Sequence, residues 1–374
     1  MTLRLLLAAA LALSACKKDP TSDGPKAPPA PKVPTVGLVT DVGGRGDQSF
    51  NDSALRGLEL WAANQKSVDG KYVTLTPEER KASLTPELEA RVLPLGIKAI
   101  VVQSKAQEDY QPNLQLLVDQ GADLTVGTGF MLENAVETVA RQNPQSKFLL
   151  IDSPIMDAKG VPQVMPNVRT VVFREEEGSF LVGALAGLVA KEKVGFVGGM
   201  EIPLIKKFEA GYRAGVKATN PKAVVLVQYT GSFDDVAAGK QAAQDLIAKG
   251  CEVIFQAAGS DGNGAIQAIK EARAAGKNVY AIGVDSDQSH LAPDAMLTSM
   301  IKRVDLAVWQ ATADLKAERF VGGDQTMGLK EGGVSYAPVR LTIPDKEAVL
   351  QKVEALRAKV IAGEIKVPTH PDLP

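Results

Sequence analysis

Val36-Gly37-Leu38-Val39-Thr40-Asp41-Val42-Gly43-Gly44-Arg45-Gly46-Asp47-Gln48-Ser49-Phe50-Asn51-Asp52 opens the body of the chain. Five residues suited to a strand covered on both faces run into a polar, glycine-rich loop, and residues 53–64 then have helical spacing. Ser49 or Asn51 can cap that helix, and the glycines let backbone approach a ligand closely. The same grammar recurs downstream. Apolar, β-branched runs stand at Ala99-Ile100-Val101-Val102, Leu124-Thr125-Val126, Phe148-Leu149-Leu150-Ile151, Thr170-Val171-Val172-Phe173, Val194-Gly195-Phe196-Val197, Val224-Val225-Leu226-Val227, Val253-Ile254-Phe255 and Tyr280-Ala281-Ile282-Gly283-Val284. Helical patterns separate them at 113–120, 132–142, 180–191, 208–219, 237–249 and 264–275. Strand–helix alternation of this kind predicts parallel sheets built from right-handed βαβ units. The length after residue 35 suits two doubly wound α/β lobes better than one.

The ends of the chain read differently. Residues 1–15, MTLRLLLAAALALSA, carry one cation and a short apolar run. The run is shorter than the roughly 20 residues a membrane span needs, and it has the shape of a secretory signal. Leu13-Ser14-Ala15-Cys16 resembles the bacterial lipobox, which implies cleavage and lipidation at Cys16. Residues 16–35 hold Pro20, Pro25, Pro28, Pro29, Pro31 and Pro34 among polar residues, the composition of an extended tether. The domain is then held at a membrane through the lipid alone.

Composition excludes several functions. Lys plus Arg is 42 and Asp plus Glu is 44, so no basic excess exists to neutralise nucleic-acid phosphates. Two cysteines, Cys16 and Cys251, rule out a disulfide framework, and two distant histidines, His290 and His370, leave little for metal binding. No phosphate-cradling G-x-x-x-x-G-K-[ST] and no Gly-x-Ser-x-Gly elbow occurs, and no nucleophile has a plausible base. Neither metal nor cofactor is expected, nor is an enzyme.

Ligands of parallel α/β sheets bind beyond the carboxyl ends of the strands. Those ends carry Asp41 to Asp52, Gly127-Thr128-Gly129-Phe130, Asp152-Ser153, Gly198-Gly199-Met200, Gly231-Ser232-Phe233-Asp234-Asp235, Ala257-Ala258-Gly259-Ser260 and Asp285-Ser286-Asp287. Taken singly, each is explained by a turn or a helix cap. Their number, and the aromatics Phe50, Phe130 and Phe233 set among polar neighbours, point to a binding cleft. Residues 66–97 fit the alternation poorly and read as an insertion.

These motifs, with Glu175-Glu176-Glu177-Gly178-Ser179-Phe180 and Thr298-Ser299-Met300-Ile301-Lys302-Arg303-Val304-Asp305, resemble the basic membrane protein family of lipoproteins, substrate-binding proteins of ABC transporters. The resemblance implies a type I periplasmic-binding-protein-like fold, with two lobes hinged on crossing strands. The cluster Pro154, Gly160, Pro162, Pro166 and Asn167 marks the break between them, which gives residues 36–168 plus about 298–325 for the first lobe, and 169–297 plus about 326–374 for the second. The resemblance also implies a purine nucleoside as ligand, an ABC permease and ATPase as partners, a monomer, and a place in the bacterial cell envelope. On the family pattern, Asp41 and Asn51 bond the base or shape its pocket, Phe50 stacks on one face and Phe233 covers the other. Asp285 and Lys302 hold ribose hydroxyls, Gly259 permits close backbone approach, and Asp152 joins them by its place at a strand end. A sensor that presents its closed form to a signalling partner is the alternative.

Overall fold

The structure is a computed structural model that describes residues 32–372. The signal-like segment, Cys16 and most of the tether lie outside the described residues. The first lobe starts with β1 (Thr35–Thr40) and α1 (Phe50–Leu55), which continues as a π-helical segment, Arg56–Ala62. A hairpin of β2 (Gln65–Val68) and β3 (Lys71–Thr74) follows, then the short helices α2 (Pro77–Ala82) and α3 (Pro86–Glu89). The lobe goes on through β4 (Lys98–Gln103), α4 (Tyr110–Asp119), β5 (Leu124–Thr128), α5 (Glu133–Gln142), β6 (Phe148–Ile151) and β7 (Val168–Phe173). The second lobe runs through α6 (Glu175–Val189), β8 (Lys193–Gly198), α7 (Pro203–Thr219), β9 (Val224–Tyr229), α8 (Val236–Ala248), β10 (Val253–Ala257), α9 (Ser260–Ala274), β11 (Tyr280–Asp285) and β12 (Met296–Lys302). The chain then returns to the first lobe for α10 (Val304–Lys316) and β13 (Gly323–Met327), and ends in the second with β14 (Val334–Tyr336) and α11 (Lys346–Ile361).

Each lobe is built on a six-stranded sheet, in the orders β13-β7-β6-β5-β1-β4 and β14-β12-β11-β10-β8-β9. Every pairing in them is parallel except β12 with β14. The two-lobed α/β fold expected from the alternation is therefore present. β1 shows why. Its Val36 and Leu38 enter one apolar cluster and Val39 another, so both faces of the strand are covered.

The chain passes between lobes three times, at Phe173 to Glu175, Lys302 to Val304, and Met327 to Val334. These positions correct the expected division at 168 and 298. β7 pairs along its length with β6, so the proline-rich stretch after Asp152 is an excursion between neighbouring strands of one sheet. Asn167 ties that excursion down by donating its amide to the carbonyls of Ala140 and Ser146. β12 pairs with β11, which puts residues 298–302 in the second lobe. Residues 66–97, read as an insertion, form most of the hairpin and the two short helices. Arg80 pins them to the body through the carbonyls of Leu60 and Trp61, and ties the segment to itself through that of Val92.

Helices α6 and α7 touch backbone to backbone. A Cβ on Gly211 would stand 2.1 Å from the Glu176 carbonyl oxygen, and one on Gly215 would stand 2.0 Å from that of Phe180. This contact fixes the start of α6 against the middle of α7, whose first turns border the site described below. Gly215→Ala has no flexible neighbour to displace, and it is expected to destabilise the protein by about 1–3 kcal/mol in urea unfolding.

Candidate functional site

The carboxyl ends of the two sheets face each other across a cleft. Asp41, Phe50, Asn51 and Asp152 line it from the first lobe, and Phe233, Gly259, Asp285 and Lys302 from the second. All eight residues singled out in the sequence thus border one cavity.

The first wall depends on Asp47, which is buried and accepts the backbone N–H groups of Ser49, Asn51 and Asp52 at 2.9, 2.7 and 3.1 Å. It holds the loop in a shape that starts α1 with Phe50 at the cleft. Ser49 caps the helix, its Oγ accepting from the Phe50 N–H at 2.6 Å and donating to Asp285 Oδ2 at 2.9 Å across the cleft. Asn51 donates its amide to Asp41 Oδ1 at 2.7 Å and Asp47 Oδ2 at 3.0 Å, and accepts from the Asp41 N–H at 3.2 Å. Asn51 thereby orients Asp41, whose Oδ2 faces the space over Gly129.

On the second wall the Phe233 ring lies over Gly199, where a Cβ would come within 2.4 Å of it, and its edge meets Phe130 at 6.4 Å between centroids. Gly259, at φ +57°, brings the next residue's N–H to the Phe233 carbonyl at 2.9 Å. Asp152, just after β6, and Asp285, at the end of β11, have left-handed backbone, φ +72° and +62°, a conformation that costs a non-glycine residue about 1–3 kcal/mol. Lys302 stands between them. Its ammonium donates to Asp152 Oδ2 at 2.5 Å and lies 5.0, 5.3 and 5.6 Å from the ring centres of Phe50, Phe173 and Phe208.

Burial dominates the electrostatics. It pushes the Asp41 carboxyl up to about 7, with Asn51 opposing and Asp47 and Asp152 adding to the rise. Asp285 is likewise pushed up to about 7 by burial, against the pull of Lys302. Burial alone would lower Lys302, but Asp152, Glu175 and Asp285 outweigh it and hold the ammonium above the ordinary lysine range. Among the described residues no group of three or more His, Cys, Asp or Glu side chains could hold a metal ion.

The sequence reading left out several walls. Leu204, Ile205 and Phe208 come from the first turns of α7, where an apolar residue reads as core packing. Asp47 was visible in the loop, but its four hydrogen bonds are set by folded geometry. Phe130, noted among the polar loops, lines the cavity as well.

A family model described as ABC transporter substrate-binding protein PnrA-like, Bmp, matches residues 35–370. The chain belongs to the Bmp family. It is similar to the CD4+ T-cell-stimulating antigen of Listeria monocytogenes, 35% identical with 99% of this chain and 98% of that protein covered. It is also similar to the ABC transporter nucleoside-binding protein BmpA of Lactococcus lactis, 32% identical over 89% of this chain and 88% of that one. Among solved structures, a solute-binding protein of an ABC transporter system from Aeropyrum pernix superposes with a TM-score of 0.72 at 29% identity, covering 91% and 94% of the two chains. As a Bmp protein the chain is an ABC transporter substrate-binding protein, and it acts outside the cytoplasm. No helix among the described residues is long and apolar enough to cross a membrane.

The raised carboxyls give a pH dependence of defined sign. Folded Asp41 and Asp285 keep protons to about 7, whereas unfolded aspartates release theirs near pH 4. In that window the folded state binds more protons, so these groups lower stability as pH rises from about 4 to about 7. Asp41→Asn removes its share. The ligand-free melting temperature of the variant should fall less over this range than that of the unaltered protein; equal slopes would contradict the assignment.

Proposed function

We propose that this protein is anchored by a lipid at Cys16, captures a purine nucleoside between its lobes and delivers it unaltered to an ABC importer. The observation that carries the reading is the pair Phe50 and Phe233, which reach one cavity from opposite lobes beside the carboxylates of Asp41, Asp152 and Asp285. A flat heterocycle offers each ring a π-face, and a ribose diol offers O–H donors to carboxylates. The cleft favours a neutral guest over a phosphorylated one, since among the described residues Asp41, Asp47, Asp152 and Asp285 line it against one cation, Lys302. The name of the Lactococcus relative, a nucleoside-binding protein, supports the same class. Asp285 and Lys302 then take the ribose hydroxyls and Asp41 the base edge. Affinity arises from contacts with both lobes, so the ligand selects the closed state.

Calorimetry with inosine, adenosine and guanosine tests this, with free bases, ribose and nucleoside 5′-monophosphates as comparators. The nucleosides should bind most tightly. Phe50→Ala should cost about 1–3 kcal/mol, the worth of one aromatic stack, with the circular dichroism of the folded protein retained. Tighter binding of a monophosphate, or unchanged affinity in the folded variant, would refute the assignment. For the anchor, Cys16→Ala should abolish incorporation of labelled fatty acid and release the protein from the membrane fraction; continued incorporation would place the lipid elsewhere.

A further inference from the structure

Glu175 begins the acidic run of the family motif, yet it is not among the cavity walls. It is fully buried at the first residue of α6, immediately beyond the first crossing between lobes. Its Oε2 accepts from Lys207 Nζ at 2.9 Å, and Lys207 also donates to the carbonyl of Phe173, the last residue of β7. Its Oε1 lies 3.4 Å from Lys302 Nζ and accepts no hydrogen bond among the described residues. Lys302 is the last residue of β12, immediately before the second crossing. The two charges therefore stand at two of the three crossings, one residue from each.

Asp152 holds the same ammonium from the other side, but it belongs to the first lobe, so that bond spans the cleft. Parting of the lobes lengthens the Asp152 contact. It leaves Glu175 and Lys302 nearly fixed, because both belong to the second lobe beside the pivot. A buried ammonium stripped of its partner is strongly disfavoured.

We propose that Glu175 is a positioning residue that keeps the Lys302 ammonium charged and directed at the cleft while the lobes are apart, so that an arriving ligand meets it already in place. Lys207 holds Glu175 in turn. The inference rests on reading the cleft as the ligand site and Lys302 as one of its contacts.

A double-mutant cycle on Glu175→Gln and Lys302→Met, with Glu175→Asp as the conservative variant, tests this. Lys302→Gln replaces the Met variant if the latter fails to fold. In the ligand-free protein, urea unfolding should show at least a five-fold coupling in the folding equilibrium constant. Coupling below two-fold would overturn the proposal. Calorimetry with inosine should show at least a ten-fold loss of affinity in Glu175→Gln, with partial recovery in Glu175→Asp. Glu175→Gln should add less than two-fold once Lys302 is replaced. An equal loss in both backgrounds would make Glu175 a structural residue only and overturn the proposal. If the unaltered protein binds none of the three purine nucleosides, the ligand reading fails by itself. The ligand-free cycle then still decides Glu175, in either direction.

Discussion

Lys302 brings a full positive charge to a point only 2% exposed, and much of the site is arranged around that charge. An ammonium there is tolerated only with anions at hand. They come from three directions: Asp152 from the first sheet, Asp285 from the neighbouring strand, and Glu175 from the crossing. Phe50, Phe173 and Phe208 close the remaining sides with ring faces, to which a cation is attracted. The side chain thus joins both lobes and the hinge in one cluster. Its placement needs β12 to end where the chain turns back toward the first lobe.

The cleft mouth is joined by a second, weaker set of contacts. Gln288 is buried and anchored within its own lobe, its Oε1 accepting from Gln256 Nε2 at 2.8 Å and from the Val284 N–H at 3.0 Å. Its remaining donor reaches across to the Gln48 carbonyl at 3.1 Å. Asn263 reaches the Asp47 carbonyl at 3.1 Å, and Ser286 that of Ser49 at 3.3 Å. Each such bond is worth about 1 kcal/mol net, because water replaces it when the lobes separate. Contacts of this size orient closure without enforcing it. A ligand that touches both walls then has leverage over the equilibrium, since it shifts populations only through its different affinity for the two states.

The sequence disclosed the strands and the site more readily than the path between lobes. β1 was legible because an apolar run on consecutive positions is the mark of a strand covered on both faces, and the loop after it announced itself through glycine and aspartate. The crossings were not, because a crossing is defined by which strands pair. Pro162 and Pro166 signalled a loop correctly, but nothing in their composition distinguishes an excursion between β6 and β7 from a passage between lobes. β13, Gly323-Asp324-Gln325-Thr326-Met327, is a largely exposed edge strand without an apolar signature, and pairing with β7 alone makes it one. Asn51 lines the cavity, but only the folded loop reveals that its amide is already engaged by Asp41 and Asp47. Phe208 lies on a helix most of whose buried residues are core, and only the orientation of α7 brings it to the ammonium. Glu175 stood in plain view within a motif. Its relation to Lys302 is a contact between distant parts of the chain, which no local pattern encodes.

The cleft taken by itself is also electrostatically unfinished. Asp152 Oδ1 is buried without a hydrogen bond among the described residues, and burial raises Asp41 and Asp285 well above the usual carboxylate range. A buried acceptor left without a donor costs about 1–3 kcal/mol, so closure without a guest carries a penalty that the open, hydrated state avoids. Strain in the left-handed backbone of Asp152 and Asp285 holds those carboxylates in place before any guest arrives. On the proposed reading, a guest bearing hydroxyl and N–H donors removes the penalty in the closed state alone. Such a guest gains more from closure than a purely apolar one of the same size. A phosphate, which brings charge but no donor, would add to the repulsion. Selectivity for polyhydroxylated, uncharged ligands would then follow from the acceptors already present in the cleft and from the cost of burying them unpaired.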